Sequence, residues 1–276
     1  MEWIDALILG IVQGLAEYLP ISSSGHLQIF REILGIDLPG EEAIVFDIIL
    51  HAATVLSTVV ILWPMFRKLC ASFFTFRRDA DFYYVCKILV SCIPVGIVGV
   101  FFKEYVEGFF GGNDLHVVGI CLCVTALLLA FAHFSDYDFV KKRMLKANRG
   151  RDITWLDAFV IGCAQAVAVL PGLSRSGTTI ATGIIIGDKR ERIAAFSFLM
   201  VIIPILGEAL LDVAKIASGK MQPESISAGA LCIGFVSSFI VGCMACKWML
   251  ELVKKGKLVW FSLYCILMGI ICILWK

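Results

Sequence analysis

The sequence predicts an all-α, polytopic membrane protein with six transmembrane helices and two re-entrant helix–loop–helix hairpins in an inverted repeat. The first observation is composition: 59% of the 276 residues are hydrophobic and only 17% are charged, unlike a soluble domain. Six long apolar runs and one duplicated segment are the other two observations. We therefore expect one integral membrane domain covering 1–276, with repeat one at about 1–134 and repeat two at about 153–276.

The apolar runs predict the transmembrane helices. A helix needs about 20 predominantly apolar residues to cross the hydrocarbon core of a bilayer, and runs of roughly this length occur six times. Polar segments separate the runs, which predicts one crossing for each. The predicted spans are about 43–63, 85–102, 117–134, 193–211, 228–246 and 258–275.

The duplicated segment occupies residues 3–25 and, 152 residues later, 155–177. Both copies hold Trp, Asp, Ala, Gly, Gln, Ala, Ser, Ser and Gly at the same spacing. A duplicated scaffold whose symmetry is broken by reactive side chains is typical of a catalytic or transport centre. The copies differ in this way at three positions: Glu17 aligns with Val169, Ser23 with Arg175, and His26 with Thr178.

Each copy is too short to cross a bilayer and is predicted to form a hairpin. The apolar run 6–16 has about 11 residues, or about 16 Å of helix, which is half of a core about 30 Å thick. Glu17, Pro20 and a run of serines interrupt it before a second short helix that ends near Leu34. The second copy repeats this plan over 158–187. Interrupted backbone at that depth requires protein or a water-filled cavity beside it, so the loops should line an internal cavity.

The distribution of basic residues predicts the orientation. Lys and Arg are concentrated in alternate loops, which the positive-inside rule places in the cytoplasm. Both termini are then outside, the first hairpin enters from outside, and the second enters from inside. An inverted repeat of this kind places its site near the middle of the membrane. The basic loops are 64–84, 135–152, 188–192 and 247–257, and the loops poor in basic residues are 103–116 and 212–227.

Charge and cysteine content exclude other classes. The formal net charge is +1, which gives no basis for nucleic-acid binding. The 11 cysteines are odd in number and lie mostly within apolar runs. We interpret them as buried thiols rather than a disulfide framework.

The loops carry the chemistry of an anion site. Hydroxyl residues and glycine at a helix start leave backbone N–H groups free, and the helix dipole favours an anion there. Arg175 can bind phosphate oxygens through two hydrogen bonds. In the alternative interpretation, the serines only cap the helices and Arg175 pairs with a structural acid, although arginine deep in a membrane usually has a function. The candidate binding residues are Ser22, Ser23, Ser24, Gly25, Ser174, Ser176, Gly177, Thr178 and Thr179.

Glu17 lies one helical turn after Gln13, so both side chains can face the same cavity. Glu17 could act as a general base, or as a ligand for a hard divalent cation that also holds phosphate. His26, one turn after Ser23, is expected to take part in proton transfer. Asp47 and His51 are also one turn apart and could line the mouth of the cavity, but we favour a structural polar pair.

These two loops resemble the undecaprenyl-diphosphatase (bacitracin-resistance) family. The resemblance lies in Gln13-x-x-x-Glu17 with the following Tyr-Leu-Pro-Ile-Ser-Ser-Ser-Gly-His, and in Pro-Gly-Leu-Ser-Arg-Ser-Gly-Thr-Thr at 171–179. It extends over the whole chain in length, span count and motif placement. The resemblance implies hydrolysis of undecaprenyl diphosphate to the monophosphate carrier of peptidoglycan synthesis, and with it a part in cell-wall biogenesis, cell shape and bacitracin resistance.

The resemblance also implies a site and a location. The protein would lie in the bacterial cell membrane, with its active site open to the outer face and assisted by a divalent cation, Mg²⁺ or Ca²⁺. The family's (Glu/Gln)-x-x-x-Glu motif falls on Gln13 and Glu17, its candidate nucleophile on Ser23, its histidine on His26, and its phosphate-binding arginine on Arg175. Many members have glutamate where this chain has Gln13, which favours Glu17 acting alone.

Two questions stay open at the level of sequence. Ser23 either attacks phosphorus or orients an attacking water, with Glu17 or His26 taking the proton. In a different class, the same inverted repeat and anion site would suit a secondary transporter or a flippase for a phosphorylated lipid or small anion. The sequence also leaves open whether the protein forms a homodimer. A purely structural membrane protein does not explain an arginine in the middle of the membrane.

Overall fold

The protein is an all-α protein. A computed structural model describes residues 1–36, 38, 40–102, 114–135, 151–219 and 226–275, and these residues form twelve α-helices and no named strand. The predicted fold class is therefore confirmed. In chain order the helices are α1 Trp3–Ala16, α2 Ser23–Leu34, α3 Gly40–Ile61, α4 Trp63–Phe74, α5 Ala80–Phe101, α6 Leu115–Ser135, α7 Trp155–Val167, α8 Arg175–Ile186, α9 Arg190–Met200, α10 Ile202–Ala217, α11 Ala228–Lys254 and α12 Val259–Leu274.

Five helical stretches in the described residues are long and apolar enough to cross a membrane. They are α3, α5, α6, the combined stretch of α9 and α10, and α11. Their number confirms a membrane-embedded protein. Helix α12 has 16 residues, about 24 Å of helix, so the count of six spans and the re-entrant path of the hairpins stay predictions. Most of the predicted basic loop at 135–152 lies outside the described residues.

The predicted span at 193–211 is interrupted at Val201, between α9 and α10. Pro204 lies at the start of α10, and proline has no N–H to donate to the carbonyl four residues earlier. That carbonyl belongs to Met200. Its oxygen accepts a hydrogen bond from the thiol of Cys92 at 3.5 Å in place of the missing helical one. The break lies next to the cavity described below, because Val201 is one of the residues that line it.

The two copies of the duplicated segment form the same local structure. In each, a short helix leads into a loop, and a serine then caps a 12-residue helix. Ser22 accepts from the backbone N–H of Gly25 at 3.3 Å, and Ser174 accepts from that of Gly177 at 3.0 Å. Both capped helices end in a left-handed glycine cap. The duplication in sequence is thus a duplication of the helix–loop–helix unit.

Each hairpin packs against the other half of the chain. Helix α1 contacts α11 of the second half, and α7 contacts α5 of the first half. Equivalent glycines make both contacts close: a Cβ on Gly10 would lie 2.0 Å from Ser237 Oγ, and one on Gly162 would lie 2.4 Å from the carbonyl oxygen of Ser91. Small residues at helix contacts are typical of membrane proteins, where backbones approach closely. This packing brings the two loops together inside the protein.

Candidate active site

The two hairpin loops meet beside a cavity lined by both polar and apolar side chains. Ser176 Oγ donates to the carbonyl oxygen of Leu19 at 3.2 Å and so joins the second loop to the first. The cavity lies between the end of α1, α3, the start of α8, and the junction of α9 with α10. Its polar lining residues include Glu17, Thr54, Thr58, Arg175, Ser176, Thr179 and Ser197, and its apolar ones include Val55, Phe198, Val201 and Ile205.

Glu17 accepts hydrogen bonds from Gln13 and Ser23, the two residues that the sequence analysis placed beside it. Ser23 Oγ donates to Glu17 Oε2 at 2.8 Å, and Gln13 Nε2 donates to the same oxygen at 3.0 Å. The Glu17 side chain is 10% exposed. A hydroxyl on a carboxylate in this geometry can lose its proton to that carboxylate as it attacks an electrophile. The structure therefore brings the Ser23 hydroxyl and the Glu17 carboxylate into direct hydrogen-bond contact.

The backbone at Ser22 is strained and determines where Ser23 points. Ser22 has φ +71°, a conformation that is uncommon for a residue other than glycine and is often found at functional sites. Its side chain caps α2, and its neighbour Ser23 is directed to Glu17. The side chain of Ser24 is exposed.

Arg175 begins α8 and lines the same cavity as Glu17. Its Nη1 atom is buried and has no hydrogen-bond partner in the part of the chain that the structure describes. The guanidinium lies within electrostatic reach of the Glu17 carboxylate. A buried donor at a helix start is suited to an anion. The Oγ1 atom of Thr178, also buried, likewise lacks a partner among the described residues.

The serine caps account for part of the predicted anion site. The backbone N–H groups of Gly25 and Gly177 donate to the serine side chains of their own loops, so these two groups are already bonded. Thr179 Oγ1 donates to the carbonyl of Arg175 at 2.9 Å and contacts Ser197. Ser22 and Ser174 therefore cap helices, as the alternative interpretation expects, while the free donor of Arg175 faces the cavity.

The structure places His26 behind the loop rather than at Glu17. The ring is 3% exposed. Its Nδ1 donates to the carbonyl oxygen of Ser22 at 2.8 Å, and in the neutral ring its Nε2 accepts from Tyr264 OH at 2.8 Å. Both nitrogens are thus engaged by groups other than Ser23 and Glu17. The acid–base role of His26 stays a prediction.

The histidine that faces Glu17 is His51. Its Nε2 lies 3.7 Å from Glu17 Oε2. Asp47 and His51, which we favoured as a structural polar pair, do not pair through their side chains: the Asp47 carboxylate forms an ion pair with Arg31, and the His51 ring contacts Asp47 at its backbone carbonyl. The spacing in the sequence gave one indication that His51 lies near the cavity. His51 is one helical turn before Thr54, a polar residue that lines the cavity.

The described residues at this site offer few ligands for Mg²⁺ or Ca²⁺. Ca²⁺ takes six to eight oxygen ligands, whereas Mg²⁺ keeps several waters and is commonly held by one or two carboxylates together with substrate phosphates. In the described ranges no three His, Cys, Asp or Glu side chains gather at one point. Glu17 offers one carboxylate, and the buried Oε1 of Gln13, which lacks a described partner, offers one amide oxygen. The expectation that Glu17 binds a cation stays a prediction.

The fold and the site together define a class: a polytopic membrane protein with an internal cavity lined by a carboxylate, a guanidinium and several hydroxyl groups. Comparison with known proteins makes this specific. The chain belongs to the family described as bacitracin resistance protein BacA, whose family model matches residues 6–271.

Three relatives show the range of similarity within the family. The chain is 52% identical to the undecaprenyl-diphosphatase of Parabacteroides distasonis and 50% identical to that of Bacteroides fragilis, each over 99% of this chain and 98% of the relative. It is 33% identical to undecaprenyl-diphosphatase 1 of Bacillus cereus, over 97% of this chain and 96% of the relative. The chain therefore matches these enzymes over nearly their full length.

Proposed function

We propose that this protein hydrolyses undecaprenyl diphosphate to undecaprenyl phosphate and inorganic phosphate. One observation carries the proposal: the Ser23 hydroxyl donates to Glu17 at 2.8 Å on the wall of a cavity that also holds Arg175 with an unpartnered Nη1. The names of the relatives agree with this activity. Recycling of this lipid carrier supports cell-wall synthesis and accounts for bacitracin resistance.

The side chains that line the cavity are of two kinds, as are the two parts of such a substrate. Glu17, Arg175 and the hydroxyl residues are suited to a diphosphate, and Phe198, Val201 and Ile205 are suited to an apolar chain. The cavity encloses about 20 Å³, so entry of this substrate requires the surrounding helices to move apart. The mixed lining favours a phosphorylated lipid over a small soluble anion.

The reaction follows from the positions of three side chains. Arg175 binds oxygens of the terminal phosphoryl group and neutralises part of their charge, which is most of what phosphoryl transfer requires. Ser23 Oγ attacks that phosphorus and its proton passes to Glu17. The bond between the phosphorus and the bridging oxygen breaks, and undecaprenyl phosphate leaves. The leaving undecaprenyl phosphate takes the proton that Glu17 received from Ser23, which returns Glu17 to the carboxylate. Water then attacks the phosphorus of phosphoserine and gives its proton to Glu17, which passes it to Ser23 Oγ as the bond between Oγ and phosphorus breaks and inorganic phosphate leaves.

A divalent cation, Mg²⁺ or Ca²⁺, enters in this proposal as part of the substrate complex. Diphosphates bind such cations through their own oxygens, and the small donor set beside Glu17 is consistent with a cation that arrives in this way. Its contribution is to reduce the charge on the diphosphate.

The site opens to the outer face of the bacterial cell membrane in this proposal. Support comes from the concentration of basic residues in alternate loops, which orients the chain by the positive-inside rule. The first hairpin, with Glu17 and Ser23, then enters from outside. A homodimer stays a prediction, which light scattering of the purified protein would check.

Phosphate release by the purified protein tests the function. In detergent, with undecaprenyl diphosphate and no membrane gradient, we expect the wild type to release inorganic phosphate. Ser23→Ala, Glu17→Ala and Arg175→Ala should each lose at least about 10²-fold in kcat/KM, since each removes nucleophile, base or charge stabilisation. Ser218→Ala, at the exposed end of α10, is the matched control.

A transporter or flippase would give a different result. It would release no phosphate without a second enzyme, and its rate of lipid movement across vesicles would fall in the same variants. Phosphate release that survives unchanged in Arg175→Ala would contradict the assignment of the cavity.

A further inference from the structure

We infer that His51 is a positioning residue for this reaction, and that its imidazole holds the Glu17 oxygen that accepts from Ser23. The inference rests on the proposed function, because it assigns a task to a residue within the same site. His51 belongs to α3, whereas Glu17 follows α1 and Ser23 begins α2. Three separate helices thus meet at one carboxylate.

The contacts converge on a single oxygen atom. Glu17 Oε2 receives Ser23 Oγ at 2.8 Å and Gln13 Nε2 at 3.0 Å, and it has His51 Nε2 at 3.7 Å. The last of these is an ion-pair distance rather than a hydrogen bond. Since the same oxygen is the one that would take the Ser23 proton, a group that fixes this oxygen also fixes the geometry of the proton transfer.

The other ring nitrogen fixes how His51 faces Glu17. Nδ1 lies 2.8 Å from the backbone carbonyl oxygen of Asp47. A carbonyl oxygen only accepts hydrogen bonds, so Nδ1 carries a hydrogen. Nε2 then points at a carboxylate oxygen, which also only accepts when ionised. The contact between His51 Nε2 and the Glu17 carboxylate oxygen is attractive when Nε2 also carries a hydrogen.

Other charged groups near the pair leave this arrangement intact. The carboxylate of Asp47, which could have competed for His51, is turned to Arg31 on α2. Arg175 on α8 approaches Glu17 electrostatically, but its role in the proposed reaction is to bind phosphate. His51 is therefore the group that compensates Glu17 when Arg175 is engaged by the substrate.

Exposure of the two side chains supports the same assignment. Glu17 is 10% exposed and His51 is 22% exposed, so the carboxylate is the more buried member of the pair. A carboxylate that has lost most of its water needs a compensating partner to remain ionised. His51 approaches the same Glu17 oxygen as Ser23 and, like Ser23, lies beside the cavity behind Glu17 rather than among the residues that line it.

Kinetics of phosphate release from undecaprenyl diphosphate test the inference. We compare wild type, His51→Ala, His51→Gln and a control, His116→Ala, at an exposed residue of α6. His51→Ala should lose on the order of 10²-fold in kcat, the size expected for a misplaced reacting group, with KM nearly unchanged because His51 does not touch substrate. His51→Gln should retain more activity, since its amide can still donate to Glu17.

Chemical rescue separates positioning from a purely structural role. Imidazole added to His51→Ala should restore part of kcat, because the His51 side chain is partly exposed, and it should not change the wild type or His116→Ala. Thermal unfolding and size-exclusion profiles show that each variant is folded. If His51→Ala does not fold, a decreased kcat with unchanged KM in His51→Gln supports the inference.

Several outcomes would overturn it. Full kcat in folded His51→Ala shows that Glu17 needs no such partner. A loss in folded protein that neither glutamine nor imidazole reduces, or a loss confined to KM in His51→Gln, assigns His51 to packing or to binding. These results differ from failure of the proposed function, in which the wild type itself releases no phosphate.

Discussion

Glu17 shows how much of a site a local motif can specify. Gln13, Glu17 and Ser23 lie within eleven residues of one another, so their spacing on a helix and loop was enough to predict that they meet. The structure has Gln13 and Ser23 on the same Glu17 oxygen. His51 could not be predicted in the same way, because its contact depends on how α3 packs beside α1, and no short-range pattern encodes that packing.

The hydroxyl of Ser23 is expected to form a covalent bond with the transferred phosphoryl group. With substrate labelled in its terminal phosphate, rapid acid quench should leave label on the wild-type protein, since phosphoserine is stable to acid. Ser23→Ala should carry none. Label that is absent from an active wild-type enzyme during turnover would instead indicate that Ser23 orients a water.

The buried carboxyl group of Asp188 makes the free energy of unfolding depend on pH. It lies in the loop between α8 and α9, is 5% exposed, and its pKa is raised to about 7 by burial and by the nearby carboxylate of Asp157. The unfolded chain releases this proton at its ordinary pKa of 3.8. Folding therefore becomes less favourable as pH rises from about 4 to about 7, and the cost is complete above that.

Asp188→Asn removes this cost, so we expect it to raise Tm more at pH 8 than at pH 5. Asp152→Asn is the comparison, because the ionised carboxylate of Asp152 stabilises the fold whereas that of Asp188 destabilises it. The pKa of Asp152 is lowered by its hydrogen bond with Lys189, so its stabilising contribution is present above pH 4. Thermal unfolding in detergent at both pH values measures the two shifts. An Asp188→Asn gain that is equal at the two values would contradict the assignment.

At the scale of elements, the sequence located most helices but not their breaks. The apolar runs corresponded to α3, α5, α6 and α11, because twenty apolar residues in a row leave few alternatives. The run at 193–211 was predicted as one span and lies within one stretch long enough to cross a membrane, but the interruption of that stretch at Val201 was not predicted. Pro204 was visible in the sequence, but the thiol of Cys92 that satisfies the freed carbonyl comes from a distant helix.

The contact between α7 and α5 allows the helix packing to be tested, because a glycine of one helix there lies against the backbone of the other. Gly162→Ala adds a Cβ that would lie 2.4 Å from the backbone carbonyl of Ser91, and backbone cannot move aside easily. We expect a lower Tm, with a cost of about 1–3 kcal/mol typical of overpacking. Gly207→Ala on α10 is the matched control, because a Cβ there meets nothing within 4 Å.

That control should be neutral or stabilising, since alanine favours a helix over glycine by roughly 0.5–1 kcal/mol. Tm values of purified variants, together with phosphate release, distinguish the two substitutions. A Gly162→Ala protein as stable as Gly207→Ala would show that the two helices separate more readily than the structure indicates.

At the scale of the whole molecule, the duplication was readable from the sequence and the pairing between the halves was not. Identical residues at identical spacing predicted two equivalent hairpins. Which helix each hairpin packs against depends on contacts between residues far apart in sequence, such as Gly10 with Ser237 and Gly162 with Ser91. The meeting of the loops at Ser176 and Leu19 follows from that pairing.

The predicted inverted topology requires both termini to lie outside. We expect epitope tags added before Met1 and after Lys276 to bind antibody in intact spheroplasts. A tag inserted in the loop between α8 and α9 should become accessible only after permeabilisation. Termini found on opposite faces would contradict a topology with an even number of crossings, and with it the proposed direction of the active site.

The exchange of packing partners between the halves has a consequence for how such a protein arose. Helix α1 lies against α11 and α7 against α5, so a single ancestral unit would have left the small-residue side of its hairpin uncovered. Two identical chains in opposite orientations could have covered each other in the same manner. In a single chain the two hairpins can differ, so one carries the Glu17 carboxylate and the other the Arg175 guanidinium, whereas two identical subunits would carry the same groups in both hairpins.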